Sequence, residues 1–455
     1  MWNFNDVSNY FMVSDTGIVI TYGELKNRIS KIISNTGLDR KLAYIVCDNS
    51  IDAIIMYVAL IQNKIPVMLV PSNLNIRVHA KFIEAYKPSY IWTNKRELKE
   101  VFSEYSQISE FLWKRKDDLN YDIYSELALL LLTSGTTGNK KTVRLSYTNI
   151  KSNMISIAMS LNVRDDDRAA LMLPITYSYG LSVLNSNLYR NATLLHSTHN
   201  IIEKDFFQFM TLNKVSALCG VPFTYELMKK LSIANKNLES IRLMTQAGGH
   251  LDINTQRYFL DLAYNWGFDF AIMYGQTEAT ARMTCFYLNE YPDKIGSVGR
   301  SIENGKVSIA KDGEVIYYGK NVCLGYAESY KDLEKGDLNK GILLTGDMGE
   351  VDSDRFLYIN GRKRRIAKIC GIRINLDEIE NKIINLIGIP VSCNDENGKL
   401  LVFFEDEDSL MVKRYYESIK NIICNFGINK AFYKIIFVHE IKQNLNDKRQ
   451  YYDIL

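Results

Sequence analysis

At 455 residues the chain has room for roughly two or three domains, and 47% apolar with 24% charged residues is the balance of an ordinary soluble protein. A net charge of +3 over that length predicts neither a nucleic acid nor a membrane surface as partner. The seven cysteines are scattered without a C-x-x-C pair, which predicts reduced thiols rather than disulfides or zinc; His196 and His199 lack the neighbours a metal site needs. The opening Met1-Trp-Asn-Phe-Asn-Asp has no basic segment leading into an apolar one, so no signal peptide is expected and the chain reads as cytoplasmic.

Ile18 to Tyr22 reads as a short strand, with Thr21 placed to cap a helix starting near Gly23. Lys41 to Cys47 is expected as a buried strand, Asp52 to Ile61 as a helix and Ile65 to Val70 as the next strand. This alternation predicts a parallel sheet covered by helices. Gln62, Asn63 and Lys64 interrupt the apolar stretch from Ile51 to Pro71, so a membrane span is not expected there. Phe82 to Glu110 is charged and irregular, with no chemistry legible in it.

The run Leu129 to Leu132 then breaks into Thr133-Ser134-Gly135-Thr136-Thr137-Gly138-Asn139-Lys140-Lys141. Glycines let successive N–H groups converge, hydroxyls add donors and the lysines add charge, a combination suited to a polyphosphate. A polar hairpin loop with a basic end fits the same residues. The spacing is not that of a Walker loop, since Lys140 stands where the second glycine belongs. Asn149 to Leu161 predicts an amphipathic helix. In Pro174-Ile-Thr-Tyr177-Ser178-Tyr179-Gly180-Leu181 the tyrosines suit either a core or a pocket wall. Gly248-Gly249-His250 follows a strand, as either a loop or a close approach to a flat ligand. Within Tyr274-Gly275-Gln276-Thr277-Glu278, Thr277 suits a helix cap and Glu278 a first-turn acid. Asp408 or Ser409 is expected to cap a helix over Met411 to Ile423.

The string T-S-G-T-T-G-x-x-K at Thr133 to Lys141 resembles the phosphate loop of the adenylate-forming superfamily: acyl-CoA synthetases, luciferases and peptide-synthetase adenylation domains. Further segments resemble that family's motifs in order: Thr21-Tyr22, Pro174 to Gly180, Tyr274 to Glu278, Gly296-Ser-Val-Gly299, Thr345-Gly346-Asp347, Gly361-Arg362, and Asn446-Asp447-Lys448. The resemblance implies an α/β fold, with a large multi-sheet N-terminal domain over 1–362 and a small mobile α+β domain over 363–455. It implies a phosphate loop of Thr133, Ser134, Gly135, Thr136, Thr137, Gly138 and Lys141, and an adenine wall at Gly248, Gly249 and His250. Tyr274, with Gly275 and Gln276 beside it, would stack on the base, and Thr277 would bond the α-phosphate. Glu278 would hold Mg²⁺, Asp347 both ribose hydroxyls, and Arg362 the ribose and α-phosphate. Tyr177, Ser178, Tyr179 and Gly180 would line the acid pocket, Arg364 would mark the hinge, and Lys448 would enter the site for adenylation.

The implied reaction is ATP-dependent adenylation of a small carboxylic acid, then acyl transfer to the thiol of CoA or of phosphopantetheine on a separate carrier protein. Amino-acid-activating members place an aspartate near Pro174 to Leu181, and none occurs there. An uncharged acyl chain or ring is therefore expected over an α-amino acid. Two alternatives stand: an amino- or hydroxy-acid ligase loading a carrier protein, and a non-catalytic binding module of the same fold. The second would be marked by loss of Glu278 or Lys448, and both are present. Arg364 and Asp447 depart from the family pattern, which has aspartate or lysine at the hinge and glycine before the terminal lysine.

Overall fold

A helix that is apolar on every side needs apolar cover on every side. Ile51–Gln62 is such a helix, with ten of its twelve residues buried. It lies in one apolar cluster with Met12 and Ile20 from one sheet and Ile45, Val67 and Leu69 from another. The chain thus folds as two large sheets with a buried helical layer between them. The computed structural model describes residues 1–95, 97–98, 102–117, 119–132, 141–236, 238–369, 372–396, 398–439 and 441. Among them, no helix is long and apolar enough to cross a membrane, and the cysteines are unbridged.

The first sheet has eight strands, parallel through its centre where Ala43–Cys47, Val67–Pro71 and Leu127–Leu132 pair side by side. The second has nine strands, in which Arg168–Ala170, Ala217–Gly220, Leu243–Gln246 and Asp269–Tyr274 run parallel. A four-stranded antiparallel sheet follows, made of Gly305–Ile309, Glu314–Gly319, Ile342–Val351 and Leu357–Arg362.

Local chemistry sets the ends of the elements. Thr21 and Glu24 form a reciprocal capping box on the helix Tyr22–Thr36, and Gly37 closes it in the left-handed region at φ 59°. Ser146 does the same for Tyr147–Ser160 together with Asn149, whose amide also donates to the carbonyls of Lys320 and Val322. The stretch from Phe82 to Glu110 is more ordered than its composition suggests. It holds the end of the helix Ile76–Tyr86 and the strands Tyr90–Trp92 and Tyr105–Ser109. Those strands are too short to show an alternating pattern, and apolar contacts such as Phe102 on Trp113 hold them instead.

Residues 363 onward build their own core. The two-stranded sheet Ile366–Ile369 with Ile372–Asn375 and the helix Leu376–Ile387 share an apolar cluster with Val402, Phe404, Ile419 and Ile423. The helix expected over Met411 to Ile423 is broken at Tyr415 into Ser409–Arg414 and Tyr416–Asn425. Asp408 occupies the N-cap position, but its side chain makes no capping hydrogen bond, so that part of the expectation is corrected.

Candidate active site

In open α/β sheets, ligands bind beyond the carboxyl ends of the strands. Gly220, Gln246 and Tyr274 end three neighbouring parallel strands, so the segments that follow them share one rim. Gly248 and Gly249 follow Gln246, and Gln276, Thr277 and Glu278 follow Tyr274. Tyr177 and Ser178 start the helix Ser178–Arg190, which enters the rim from the next strand.

The segment after Tyr274 is a tight, strained return. Thr277–Ala279 form a single 3-10 turn, and Thr280 and Ala281 both have positive φ, 57° and 112°. A non-glycine residue at φ 112° costs about 1–3 kcal/mol and persists only where its surroundings enforce it. Asn321 supplies that enforcement. Its amide donates to the carbonyls of Ala279 and Arg282, both at 2.8 Å, and Tyr317 donates to its oxygen at 2.9 Å. The Cys323 N–H holds the Glu278 carbonyl at 2.8 Å. Gly275 is required by this return, because a Cβ there would lie 1.7 Å from the Ala281 carbonyl oxygen. Gly275→Ala is therefore expected to lower stability by about 3 kcal/mol, read as a lower urea midpoint at unchanged slope.

The turn fixes two side chains. The Thr277 hydroxyl lies 3.3 Å from the Ser178 hydroxyl, and so faces the neighbouring helix rather than capping its own turn. Glu278 accepts from the Tyr326 hydroxyl at 2.9 Å and is half-buried. Its carboxylate, one edge held by a phenol, is an oxygen ligand of the kind Mg²⁺ takes.

Asp347 gathers the next group. It is buried and accepts from the Tyr274 hydroxyl and, at 2.6 Å, from the Gln276 amide, while Arg362 Nε lies 3.4 Å away. Burial, then the neighbouring carboxylate, pushes the Tyr274 hydroxyl well above its ordinary range, which keeps it a donor. Arg362 is half-exposed, and its backbone N–H donates to Asp377 at 2.8 Å, across the junction to the following helix.

Tyr177 packs its hydroxyl where a side chain on Gly248 would stand, only 2.4 Å from a Cβ built there, and Gly248 has φ 90°. Gly249 lies against Pro222, and His250 is exposed beside it. A Cβ on Gly180 would meet the Pro174 carbonyl at 2.3 Å, which accounts for the glycine in that turn. The two tyrosines separate into different roles. Tyr177 is half-buried at the rim, whereas Tyr179 is buried and donates to the Thr245 carbonyl at 2.8 Å.

Lys141 pairs with Glu328 at 3.3 Å on the strand flank of the glycine-hydroxyl loop. That flank, Thr142–Ser146, pairs antiparallel with Leu127–Leu132. Thr133, Ser134, Gly135, Thr136, Thr137 and Gly138 lie outside the described residues, as does Lys448. The backbone of Arg364 falls in the 3-10 turn Lys363–Arg365. His196 ends the strand Thr193–His196 and His199 bonds Glu203 at 3.0 Å, so the two share no helix face; among the described residues no cluster suits a metal by histidine, cysteine and carboxylate count.

Sequence reasoning missed two residues. Asn321 carries no motif, and only the fold reveals its bonds. Arg282 is a buried guanidinium within Ala279-Thr-Ala-Arg-Met-Thr-Cys-Phe286, where one charge in an otherwise uncharged run was the available signal.

Residues 5–327 match the family described as AMP-binding enzyme. The 2-succinylbenzoate–CoA ligase of Bacillus subtilis (strain 168) is 25% identical over 291 residues, 61% of this chain and 58% of that one. The ligase of the same name from Listeria monocytogenes (strain EGD-e) is 25% identical over 358 residues, 76% of this chain and 73% of its own. The chain thus spans less than two thirds of the Bacillus relative in the matched stretch. Among solved structures, O-succinylbenzoate Coenzyme A synthetase (MenE) from Bacillus subtilis, in complex with ATP and magnesium ion, superposes with TM-score 0.78 at 19% identity, covering 98% of this chain and 96% of that one. ATP-bound MatB from Rhodopseudomonas palustris gives TM-score 0.75 at 18% identity, covering 98% and 95%. At these identities the likeness is one of fold.

Proposed function

Because this chain belongs to the AMP-binding enzyme family, we propose that it activates a small carboxylic acid with ATP and passes the acyl group to a thiol. The observation that carries the reading is the convergence of Thr277, Ser178, Glu278 and the Tyr274–Asp347 pair at one rim of parallel strand ends. Relatives named as CoA ligases favour CoA as the acceptor, with phosphopantetheine on a separate carrier protein as the other thiol of the same chemistry.

In this reading the adenosine lies across Gly248 and Gly249, where the missing side chains let a flat base approach, and Tyr274 stacks on its other face. Asp347 accepts from both ribose hydroxyls on the lone pairs that Tyr274 and Gln276 leave open, since both of those donors share one carboxylate oxygen. The loop Thr133 to Lys141 directs donors at the phosphates. Thr277 bonds the α-phosphate, and Ser178 beside it orients the attacking carboxylate. Magnesium bound at Glu278 would neutralise charge on the phosphate oxygens. The carboxylate oxygen forms a bond to the α-phosphorus, and pyrophosphate leaves with the electron pair. The thiol sulfur, giving up its proton to solvent, then attacks the acyl carbon, and AMP departs with the electron pair of the broken C–O bond, so atoms and charge balance in both steps.

We place the boundary between the two domains at 362–363, with Arg364 as the hinge. The separate apolar cluster after residue 366 and the Arg362–Asp377 bond at the junction support this division. Lys448, near the end of the small domain, would then reach the site in only one of two poses.

The test is acid-dependent pyrophosphate exchange, screened over fatty, aryl, hydroxy and amino acids. Glu278→Gln is expected to slow exchange and move its Mg²⁺ dependence to higher concentration. Exchange at the wild-type rate with wild-type Mg²⁺ dependence would contradict the assignment of Glu278.

A further inference from the structure

One short segment grips Glu278 at two points. The Cys323 N–H holds its carbonyl at 2.8 Å and, three residues on, the Tyr326 hydroxyl donates to its Oε1 at 2.9 Å. The phenol engages one carboxylate oxygen, and among the described residues Oε2 takes no donor. A glutamate without such support, on a half-buried turn, would exchange among several staggered rotamers, and that freedom is lost when the carboxylate takes a metal. A donor on one oxygen removes part of it beforehand.

The segment that carries Tyr326 is itself fixed. Gly325–Ala327 pairs antiparallel with Thr142–Ser146, the strand after the loop Thr133 to Lys141, and places Tyr326 opposite Val143. Arg144 in that strand is fully buried, and its carbonyl accepts from the Leu324 N–H at 2.8 Å. Its guanidinium donates to the carbonyls of Leu324 at 3.0 Å, Tyr326 at 3.2 Å, Gly336 at 3.2 Å and Lys335. Gly325, at φ 120°, leaves room for this, since a Cβ there would lie 3.3 Å from Nη2 of Arg144. Tyr86 adds a hydrogen bond to the Ala327 carbonyl at 2.7 Å. The backbone of Tyr326 is thus pinned, whereas the residue is 44% exposed, so its bond to Glu278 is not a by-product of core packing.

We propose that Tyr326 is a positioning residue: it presets the Glu278 carboxylate for Mg²⁺ and ties that carboxylate to the strand leaving the phosphate loop. It touches neither substrate nor nucleotide and acts only through Glu278. This inference rests on the assignment of Glu278 made above. Removing the hydroxyl then costs metal affinity and leaves the nucleotide's other contacts, at Asp347 and Gly248, as they are.

The test measures binding rather than turnover: the affinity of the full chain for α,β-methylene-ATP, which resists cleavage between the α- and β-phosphates, with and without Mg²⁺. In the wild-type protein Mg²⁺ is expected to raise that affinity. Tyr326→Phe should remove most of the gain, lowering the affinity with Mg²⁺ by about tenfold, the usual loss when a partner that orients a metal ligand is removed. The affinity without metal and the urea midpoint should stay at their wild-type values. Glu278→Gln should lower the gain at least as far, and adding Tyr326→Phe to it should change nothing more. In pyrophosphate exchange the same loss should appear as a higher Mg²⁺ requirement that saturating Mg²⁺ overcomes. A wild-type gain in Tyr326→Phe beside a lost one in Glu278→Gln, a further loss in the double variant, or equal losses with and without metal overturns the inference and leaves Glu278 as the metal ligand. A gain that survives Glu278→Gln overturns the assignment of Glu278 and the inference with it.

Discussion

Asp347→Ala is expected to raise the KM for ATP by at least about a hundredfold, since hydrogen bonds to a charged acceptor are worth roughly 1.5–3 kcal/mol each and two are lost. The carboxylate is buried and already accepts from Tyr274 and Gln276, so its position is fixed before a nucleotide arrives. The proposed role in ribose binding would separate from a purely structural one by nucleotide analogues. In the wild-type protein 2′-deoxy- and 3′-deoxy-ATP should each bind more weakly than ATP. In Asp347→Ala the three nucleotides should become nearly equivalent, because the partner of the missing hydroxyl is gone. A deoxy penalty that persists in the variant would assign Asp347 to folding alone.

The second large effect belongs to Lys448. Lys448→Ala should slow adenylate formation by roughly 3–4 kcal/mol, the usual loss when a preorganised group that stabilises developing charge is removed. Thioester formation from supplied acyl-adenylate should stay within a few-fold of wild type, since on the proposed reading a lysine that serves only adenylation has no part in that step. Arg364→Pro should do the reverse if the hinge lies there as proposed, because proline fixes φ near −65° and would resist rotation. Single-turnover kinetics of each half-reaction decides the matter. Equal loss of both steps in both variants would show that no alternation of the small domain separates them.

The sequence reading succeeded where the information is local. Thr21 and Glu24 stand three residues apart, and their capping box appears at the expected helix start. The leucine run before Thr133 is a buried strand because nothing polar interrupts it. What escaped depends on contacts between distant segments. Asn321 bonds residues some forty positions earlier in the chain, and no pattern around it announces that. The split between Tyr177 and Tyr179 was equally hidden, since two residues of one type, two positions apart, differ only in what the fold brings against them: Gly248 for one and Thr245 for the other. Arg282 was readable only as a lone charge in an uncharged run, and that its side chain is buried against Ser182 and the Tyr179 ring follows from the fold. The alternatives left at Thr277 are narrowed by the same means, because its hydroxyl meets Ser178, ninety-nine residues away, rather than its own turn.

The central claim is that a carboxylate oxygen of the acid bonds directly to the α-phosphorus of ATP. It is tested most directly by supplying the preferred acid with isotopically heavy oxygen in its carboxyl group and examining the products after thioester formation. The account predicts heavy oxygen in AMP, one atom per turnover, with unlabelled pyrophosphate. Heavy oxygen in inorganic phosphate accompanied by ADP would contradict it.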